Sequence, residues 1–264
     1  MHPADPAARE VLAQGRIEVE GRLVEASNAT LLCSVEHDGA AAECVYKPVR
    51  GERPLWDFPD GTLAGREVAS YLVSEALGWH LVPPTLLREG PFGPGMVQLW
   101  VDTEEDSDLV DLAEPADVPE GWRAVLQAQD NHGDPVVLAH ADHAALRRLA
   151  VLDVVINNAD RKGGHILHAP DGDVFGIDHG VSLNAENKLR TVLWGWIGKP
   201  LSAEATEALG RFRALMEGEL AADLAEHITP KEVQAINERV QALLGEGVFP
   251  APSGEWPAIP WPPF

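Results

Sequence analysis

Short runs in which hydrophobic and polar positions alternate fill the first part of the chain, between residues 15 and 48. Turn-forming stretches separate three such runs, which cover residues 17–26, 30–36 and 43–48. Alternation with a period of two is typical of half-buried strands, so the pattern predicts a three-stranded antiparallel meander. Two further strand-like runs are bounded by proline and glycine, at residues 81–89 and 95–102.

Apolar residues spaced three and four apart mark the predicted helices. Residues 64–78 show this spacing, and Gly78 is a typical helix end. The apolar positions concerned are Val68, Tyr71, Leu72 and Leu77. Further helices are predicted at residues 121–130, 142–160, 202–224 and 229–245. We expect one hairpin among them, at residues 165–178, where an Ala-Pro-Asp-Gly-Asp turn separates two apolar runs.

These elements predict an α+β chain in four regions. Residues 1–101 form a sheet lobe with one helix and end in an interlobe hinge, and residues 121–248 form a helical lobe. Residues 102–120 carry nine acidic side chains and no basic one, which is typical of a solvated linker or insert. Residues 249–264 contain six prolines and two tryptophans, so this tail is predicted to lie extended against the body or to hang free.

Composition and charge narrow the classes of partner. Hydrophobic residues make up 45% and charged residues 23% of the 264 residues, which is ordinary globular usage. The net charge of −22 argues against nucleic acid or an anionic membrane surface as a broad electrostatic partner. Two cysteines, Cys33 and Cys44, fit a reducing compartment, so we expect a cytoplasmic protein. No apolar stretch reaches the length of a transmembrane helix.

Two aspartates near the predicted hairpin are the first candidates for chemistry. Asp160 and Asp178 each stand where an apolar segment meets a polar loop containing glycine. A compact fold can bring both to one cleft, where a carboxylate pair can hold a hard divalent cation and position a proton acceptor. The alternative interpretation is ordinary turn chemistry, in which aspartate beside glycine is common.

A lysine and a glutamate earlier in the chain change the meaning of the two aspartates. Lys47 lies in a predicted strand, and Glu67 lies on the next predicted helix. A strand lysine paired with a helix glutamate is what a nucleotide site uses to hold α- and β-phosphates. Lysine, helical glutamate, a loop aspartate and a second aspartate after a hairpin follow the chain order of a bilobal protein-kinase-like fold.

The residues around these positions resemble a known group of enzymes. NNADRKGGHIL followed by VFGIDHG is similar to the catalytic and metal-binding loops of atypical kinases related to phosphoinositide 3- and 4-kinases and to HipA-type kinases. Together with CVYKP, AGREVASYLV and LGWHLVPPT, these loops resemble an actinobacterial family described as phosphatidylinositol 3/4-kinase-like, whose substrate is unsettled. The resemblance spans residues 41–198.

The resemblance implies a role for each matching residue. Lys47 would bind the phosphates of ATP, and Glu67 would orient that lysine. Asp160 would accept the proton of the acceptor hydroxyl, Asp178 would chelate Mg²⁺, and Arg161 would brace the loop.

The strand at residues 96–100 would be the interlobe hinge, where adenine meets backbone groups. Gln98 and Leu99 would lie nearest to the base.

Other positions depart from the family pattern. His165 stands where a metal-binding asparagine is expected, so it joins the metal site, contacts phosphate or contacts no ligand. Lys162 either neutralises charge on the transferred phosphoryl group or is solvated. No glycine-rich loop precedes Lys47, and Ser27 in an ordinary-looking turn is the candidate phosphate contact in its place. His179 replaces a phenylalanine of the second motif.

Some conspicuous side chains are interpreted as structural. His132, His140 and His143 lack the spacing of a zinc site and are predicted to lie on the surface. Trp194 and Trp196 are predicted to pack within the second lobe.

The function predicted from these residues is phosphoryl transfer from ATP to a hydroxyl, dependent on Mg²⁺ or Mn²⁺. The acceptor is a small molecule, a lipid headgroup or a protein, and the strongly acidic chain favours the first and third over a lipid. Alternatives are a catalytically silent nucleotide-binding regulator, an AMP transferase on the same fold, and a two-carboxylate metallohydrolase that would need neither Lys47 nor ATP.

Overall fold

The computed structural model describes residues 1–23, 29–104, 108–130 and 132–264. The first part is a five-stranded antiparallel sheet in which the strands lie in the order β1-β2-β3-β5-β4. The strands are β1 (Arg16–Arg22), β2 (Leu31–His37), β3 (Ala40–Pro48), β4 (Thr85–Gly90) and β5 (Gly93–Leu99). The predicted meander and the two later strands are confirmed. This sheet and its two helices are called the N-lobe below.

The two helices of the N-lobe cover opposite faces of the sheet. Helix α1 (Ala8–Gln14), which the sequence analysis did not predict, packs against the face that carries Tyr46. Successive residues of a strand point to opposite faces, so Lys47 lies on the other face. Met96, the partner of Lys47 in β5, packs against helix α2 (Leu63–Leu77). The pleat of β3 therefore directs Lys47 towards α2.

Helix α2 has well-defined ends. Thr62 caps its first turn, because its hydroxyl accepts from the Gly65 N–H at 2.9 Å. The Glu52 carboxylate accepts from the N–H groups of Leu63 and Ala64, which have no partner within the helix. Gly78 ends the helix in the left-handed conformation, with φ at 74°. The helix predicted at residues 64–78 is confirmed within one residue at each end.

A second antiparallel sheet corrects two sequence predictions. Residues 121–130 are not helical, because β7 (Trp122–Gln129) pairs along its length with β8 (Pro135–Ala141). The acidic stretch contributes β6 (Val110–Ala113) to the other edge of β8. The hairpin at residues 165–178 is present as β9 (Ile166–His168) and β10 (Val174–Gly176), but β7 and β8 form another one after the acidic stretch.

Four α-helices lie in the remaining chain, which together with the second sheet is called the C-lobe here. They are α3 (Ala144–Ile156), α4 (Ala203–Met216), α5 (Glu219–Ala225) and α6 (Pro230–Glu246). The helix predicted at residues 202–224 is interrupted at Glu217 and Gly218, where Gly218 leaves helical geometry. One cluster of buried apolar side chains joins α2 to α3, α4 and α6, so the two lobes share a core. Among the helices of the described ranges, none has the length and apolar character needed to cross a bilayer.

Candidate active site

Lys47 lies where the two lobes meet, a region called the cleft below. Its Nζ is 2.7 Å from Oε1 of Glu67 and 2.8 Å from Oδ1 of Asp178, although Asp178 is 131 residues away in sequence. Burial alone would lower the pKa of Lys47, but the two carboxylates outweigh it and raise this pKa above the ordinary lysine value. Lys47 is therefore a permanent cation that links β3, α2 and the C-lobe.

Glu67 holds two parts of the cleft at once. Its second carboxylate oxygen, Oε2, accepts the backbone N–H of His179 at 2.8 Å. Burial raises the pKa of Glu67, and the Lys47 ammonium acts in the opposite direction. The carboxylate is almost fully buried, so its position fixes both the lysine and the chain that follows β10.

Asp178 presents a charged oxygen to the cleft. Its backbone adopts a left-handed conformation with φ at 59°, an uncommon state for a residue other than glycine that recurs at functional sites. The Lys47 cation lowers the pKa of Asp178 far below its usual range, although burial opposes this shift. With 51% of its side chain exposed, Asp178 can offer an oxygen to a ligand as well as to Lys47.

The Asp160 loop, defined as residues 157–165, begins where α3 ends at Asn157 in the left-handed conformation. The Asn158 side chain accepts from the N–H of Asp160 at 2.9 Å and donates to Asp153 at 3.0 Å. Burial raises the pKa of Asp160, and Lys162, whose Nζ is 3.7 Å from Asp160 Oδ2, acts against that shift. A carboxylate with a raised pKa is better suited to accept a proton.

Arg161 supports the Asp160 loop from inside the protein, where its side chain has no solvent exposure. Its guanidinium donates to both oxygens of Asp153, and also to the carbonyl oxygens of His165 and Ile177 at 3.1 Å. Nη2 also lies 2.7 Å from Nε2 of His179. Arginine has only donors, so this imidazole nitrogen accepts. The geometry fits the bracing role and keeps Arg161 out of contact with the cleft.

Asp153 is a residue of the candidate site that the sequence analysis missed. It is fully buried in α3, and its partners include the Thr191 hydroxyl at 3.1 Å as well as Arg161 and Asn158. A lone aspartate within the apolar run VLDVVI was the available signal, since a buried charge requires partners.

The side chains around Asp178 differ in how well they suit a divalent cation. Asp178 supplies the oxygen that Mg²⁺ prefers, and a nucleotide-bound Mg²⁺ needs only one or two carboxylates besides phosphates and water. His165 Nε2 lies 3.5 Å from Asp178 Oδ2, and burial lowers the pKa of His165 to about 4, so the ring is neutral. Its Nδ1 is buried without a hydrogen-bond partner in the described chain. A neutral imidazole suits softer cations than Mg²⁺, so Asp178 fits the group better than His165 does.

The predicted adenine contacts, Gln98 and Leu99, lie in β5. Gln98 is flanked by strands on both sides, and its side-chain amide donates to the Thr85 hydroxyl at 2.8 Å. The Leu99 N–H donates to the Pro84 carbonyl at 3.0 Å. These two donors are engaged within the N-lobe, and contact with adenine stays a prediction. Ser27, the candidate phosphate contact, lies outside the described residues.

The other structural interpretations have mixed outcomes. His140 is fully buried, so its predicted surface position is wrong, whereas His132 is exposed and His143 is half-buried. Trp194 and Trp196 are buried as predicted.

Comparison with solved structures defines the class. The Golgi casein kinase superposes with a TM-score of 0.55 at 14% identity, over 90% of this chain and 73% of that one. The protein therefore has a protein-kinase-like α+β fold, with a sheet N-lobe and a mainly helical C-lobe. The Helicobacter pylori proinflammatory kinase CtkA gives a TM-score of 0.48 at 10% identity, over 90% of this chain and 94% of that one.

Sequence comparison gives the family. No family model matches the chain. Protein Rv2133c of Mycobacterium tuberculosis is 54% identical over 264 residues, which cover 96% of this chain and 94% of that protein. The chain belongs to the family of Protein Rv2133c.

Proposed function

We propose that this protein is an ATP-dependent phosphotransferase of the atypical kinase type, related to the phosphatidylinositol 3/4-kinase-like group, that uses Mg²⁺ or Mn²⁺. One observation carries the proposal: a half-buried lysine, Lys47, contacts the α2 carboxylate of Glu67 and the loop carboxylate of Asp178. A lysine held by a helical glutamate next to a metal-binding aspartate is the arrangement by which kinases cradle the phosphates of ATP. The fold of the chain supports the same interpretation.

The side chains divide the work by their chemistry. Lys47, held by Glu67, offers a fixed positive charge to the phosphates. Asp178 would hold the metal, which when bound neutralises phosphate charge. Asp160 would accept the proton of the acceptor hydroxyl, and Lys162 would stabilise negative charge beside it. Arg161 keeps the Asp160 loop and Asp178 in register through Asp153.

The acceptor and the location complete the proposal. A small molecule or a protein is favoured over a lipid, because the net charge of −22 opposes approach to an anionic membrane. Both cysteines are free thiols, which supports a reducing, cytoplasmic environment.

Nucleotide binding is the first test. Thermal unfolding would be followed with ATP, with and without Mg²⁺ or Mn²⁺, for the wild type, Asp178→Ala and the exposed-acid control Asp117→Ala. Ligand at a hundredfold excess over its dissociation constant stabilises a protein by about 2.7 kcal/mol. We expect a metal-dependent stabilisation in the wild type and in the control that Asp178→Ala loses. The absence of any shift in the wild type would contradict the proposal and favour a protein that does not bind ATP.

The fate of the nucleotide distinguishes the reactions. ATP labelled at the α or the γ position would be followed with candidate acceptors, for the wild type and Lys47→Ala. We expect transfer of the γ label, reduced at least about 100-fold in Lys47→Ala because the phosphates lose their cation. Transfer of the α label would indicate an AMP transferase, and metal-dependent binding with neither transfer would indicate a silent regulator. Unchanged activity in Lys47→Ala would contradict nucleotide chemistry at this site.

A further inference from the structure

The tail, residues 249–264, is bound along the C-lobe. The carbonyl oxygen of Ala258 accepts from the Thr191 N–H at 3.1 Å and from Trp194 Nε1 at 2.8 Å. Further along, the Pro263 carbonyl oxygen accepts the N–H of Gly163 at 2.8 Å. The tail thus connects the segment that carries Thr191 to the Asp160 loop.

The middle of the tail has a separate anchor just before Ala258. The Trp256 ring lies 3.8 Å from Nζ of the buried Lys188, and it is tilted against the Trp56 ring at a centroid distance of 6.4 Å. A cation over an indole face is a favourable contact. The tail is therefore fixed on both sides of Ala258.

Phe264 packs directly on the backbone of the Asp160 loop. A Cβ atom placed on Gly163 would collide with Cε1 and Cδ1 of the Phe264 ring. Only glycine at position 163 permits this close approach. Gly163 begins the short 3₁₀ turn that ends at His165, so the ring contacts the loop between Asp160 and His165.

The loop needs such support for a physical reason. Gly163 and Gly164 are consecutive, and glycine loses more conformational freedom on ordering than any other residue. Asn158 fixes the backbone N–H of Asp160 before the glycines, and Arg161 holds the carbonyl of His165 after them. The hydrogen bond to Pro263 and the Phe264 ring act on Gly163 itself.

From these contacts we infer that Pro263 and Phe264 are positioning residues that hold the Asp160 loop in its reactive arrangement. The catalytic consequence rests on the proposed function, in which Asp160 accepts the proton. A displacement of about 1 Å in a catalytic group can lower a rate on the order of 100-fold. The mechanical consequence, an ordered loop, does not depend on any activity.

Hydrogen exchange tests the mechanical consequence in the full chain. The variants are Phe264→Ala, Phe264→Leu and the control Trp261→Ala, whose ring belongs to the same tail but is 78% exposed. We expect the amides of residues 160–165 to exchange at least about tenfold faster in Phe264→Ala, with the Gly163 amide most affected, because its local opening becomes easier. Phe264→Leu should retain most of the protection, and Trp261→Ala all of it. Wild-type exchange in Phe264→Ala would overturn the inference.

A double-mutant cycle tests the contact itself. Gly163→Ala displaces the ring, so this single change should accelerate exchange of the loop much as Phe264→Ala does. Once the ring is absent, the added methyl group has space, and the double variant should resemble either single variant instead of their sum. Additive effects would show that residues 163 and 264 act independently and would overturn the inference.

Kinetics test the catalytic consequence. For Phe264→Ala we expect kcat to fall about 10- to 100-fold while KM for ATP stays within about twofold, because the tail contacts neither Lys47 nor Glu67. Faster exchange with wild-type kcat would refute the catalytic consequence. A wild type that neither binds nor turns over ATP would instead refute the proposed function, and the exchange data would still decide whether the tail orders the loop.

Discussion

At the scale of single residues, the buried pair Asp153 and Arg161 controls the geometry of the site. Both side chains have no exposure, and Nη2 of Arg161 is 2.9 Å from Oδ1 of Asp153. The pair connects α3 with the Asp160 loop and, through the carbonyl of Ile177, with the residue before Asp178. Removing one member leaves the other charge buried without its partner.

We therefore predict that Asp153→Ala is strongly destabilising. The free energy of unfolding should fall by about 3–5 kcal/mol, the usual cost of breaking a buried ion pair. Urea unfolding would measure it as a lower midpoint with an unchanged slope. Asp153→Asn, which keeps one of the two acceptor oxygens, should lose less, and the exposed Asp117→Ala should lose almost nothing. Equal midpoints for Asp153→Ala and Asp117→Ala would contradict this role.

The sequence was informative about residues whose chemistry follows from type and order. Lys47, Glu67 and Asp178 are brought together as the resemblance implied. The sequence did not show that the Leu99 N–H is engaged within the N-lobe, because whether an N–H is free depends on which segment lies beside it. That information is absent from the local sequence.

At the scale of secondary-structure elements, the second sheet shows why local patterns fail. Residues 122–129 contain alanine, leucine, glutamine and arginine, all good helix formers. They form β7 nevertheless, because pairing with the buried strand β8 outweighs a weak intrinsic preference. Strand β6 lies within an acidic stretch for the same reason, since its pairing partner is more than 20 residues further along the chain. The long periodic helices α2, α3 and α6 were predictable, because their own apolar spacing defines them.

His140 connects the second sheet to the short 3₁₀ helix Trp194–Trp196. Its Nδ1 donates to the Ala141 carbonyl at 2.9 Å, and its Nε2 accepts the Gly195 N–H at 3.1 Å. The imidazole ring also packs on Trp196 at a centroid distance of 4.3 Å. Both partners require a neutral ring, and burial lowers the pKa of His140 below its ordinary value.

A pH dependence of stability follows from this neutral ring. The folded protein resists protonation of His140, whereas the unfolded chain protonates it near pH 6.5. The contribution of His140 is complete above about pH 6.5 and is lost as the pH falls towards the lower folded-state pKa, by up to about 1.4 kcal/mol per pH unit.

Unfolding free energies measured between pH 7 and pH 5 would test this pH dependence of stability. The wild type and the exposed control His132→Gln should lose stability more steeply than His140→Gln. Parallel curves for all three would contradict a neutral buried His140.

At the scale of the whole molecule, a second buried ion pair connects the lobes. Nη2 of Arg66 on α2 is 2.6 Å from Oε1 of Glu232 on α6, and both side chains are buried. Arg66 also donates to the Ser182 carbonyl at 2.9 Å, a few residues after Asp178. Glu232 also takes part in the capping box with Thr229 at the start of α6. One contact thus joins the N-lobe, the chain after Asp178 and the helical scaffold.

We predict that Glu232→Ala lowers the free energy of unfolding by about 3–5 kcal/mol, because Arg66 loses its buried partner and α6 loses part of its cap. The matched control is Glu204→Ala, whose pair with Arg148 is solvent-exposed and should contribute less than about 1 kcal/mol.

Circular dichroism and tryptophan fluorescence should report the same single unfolding transition, because the lobes share one core. Two separate transitions would contradict that cooperativity.

The contact between Lys47 and Asp178 has a thermodynamic consequence for the cleft. On the proposed function, ATP arriving alone brings its phosphates towards the Asp178 carboxylate, and a cation arriving alone meets the Lys47 ammonium. When both arrive, Lys47 exchanges the Asp178 carboxylate for phosphate, and Asp178 exchanges the Lys47 ammonium for the metal. Each ligand thus removes the repulsion that the other would encounter. Their affinities are then linked by a favourable coupling free energy, and by reciprocity each ligand strengthens the other by the same factor.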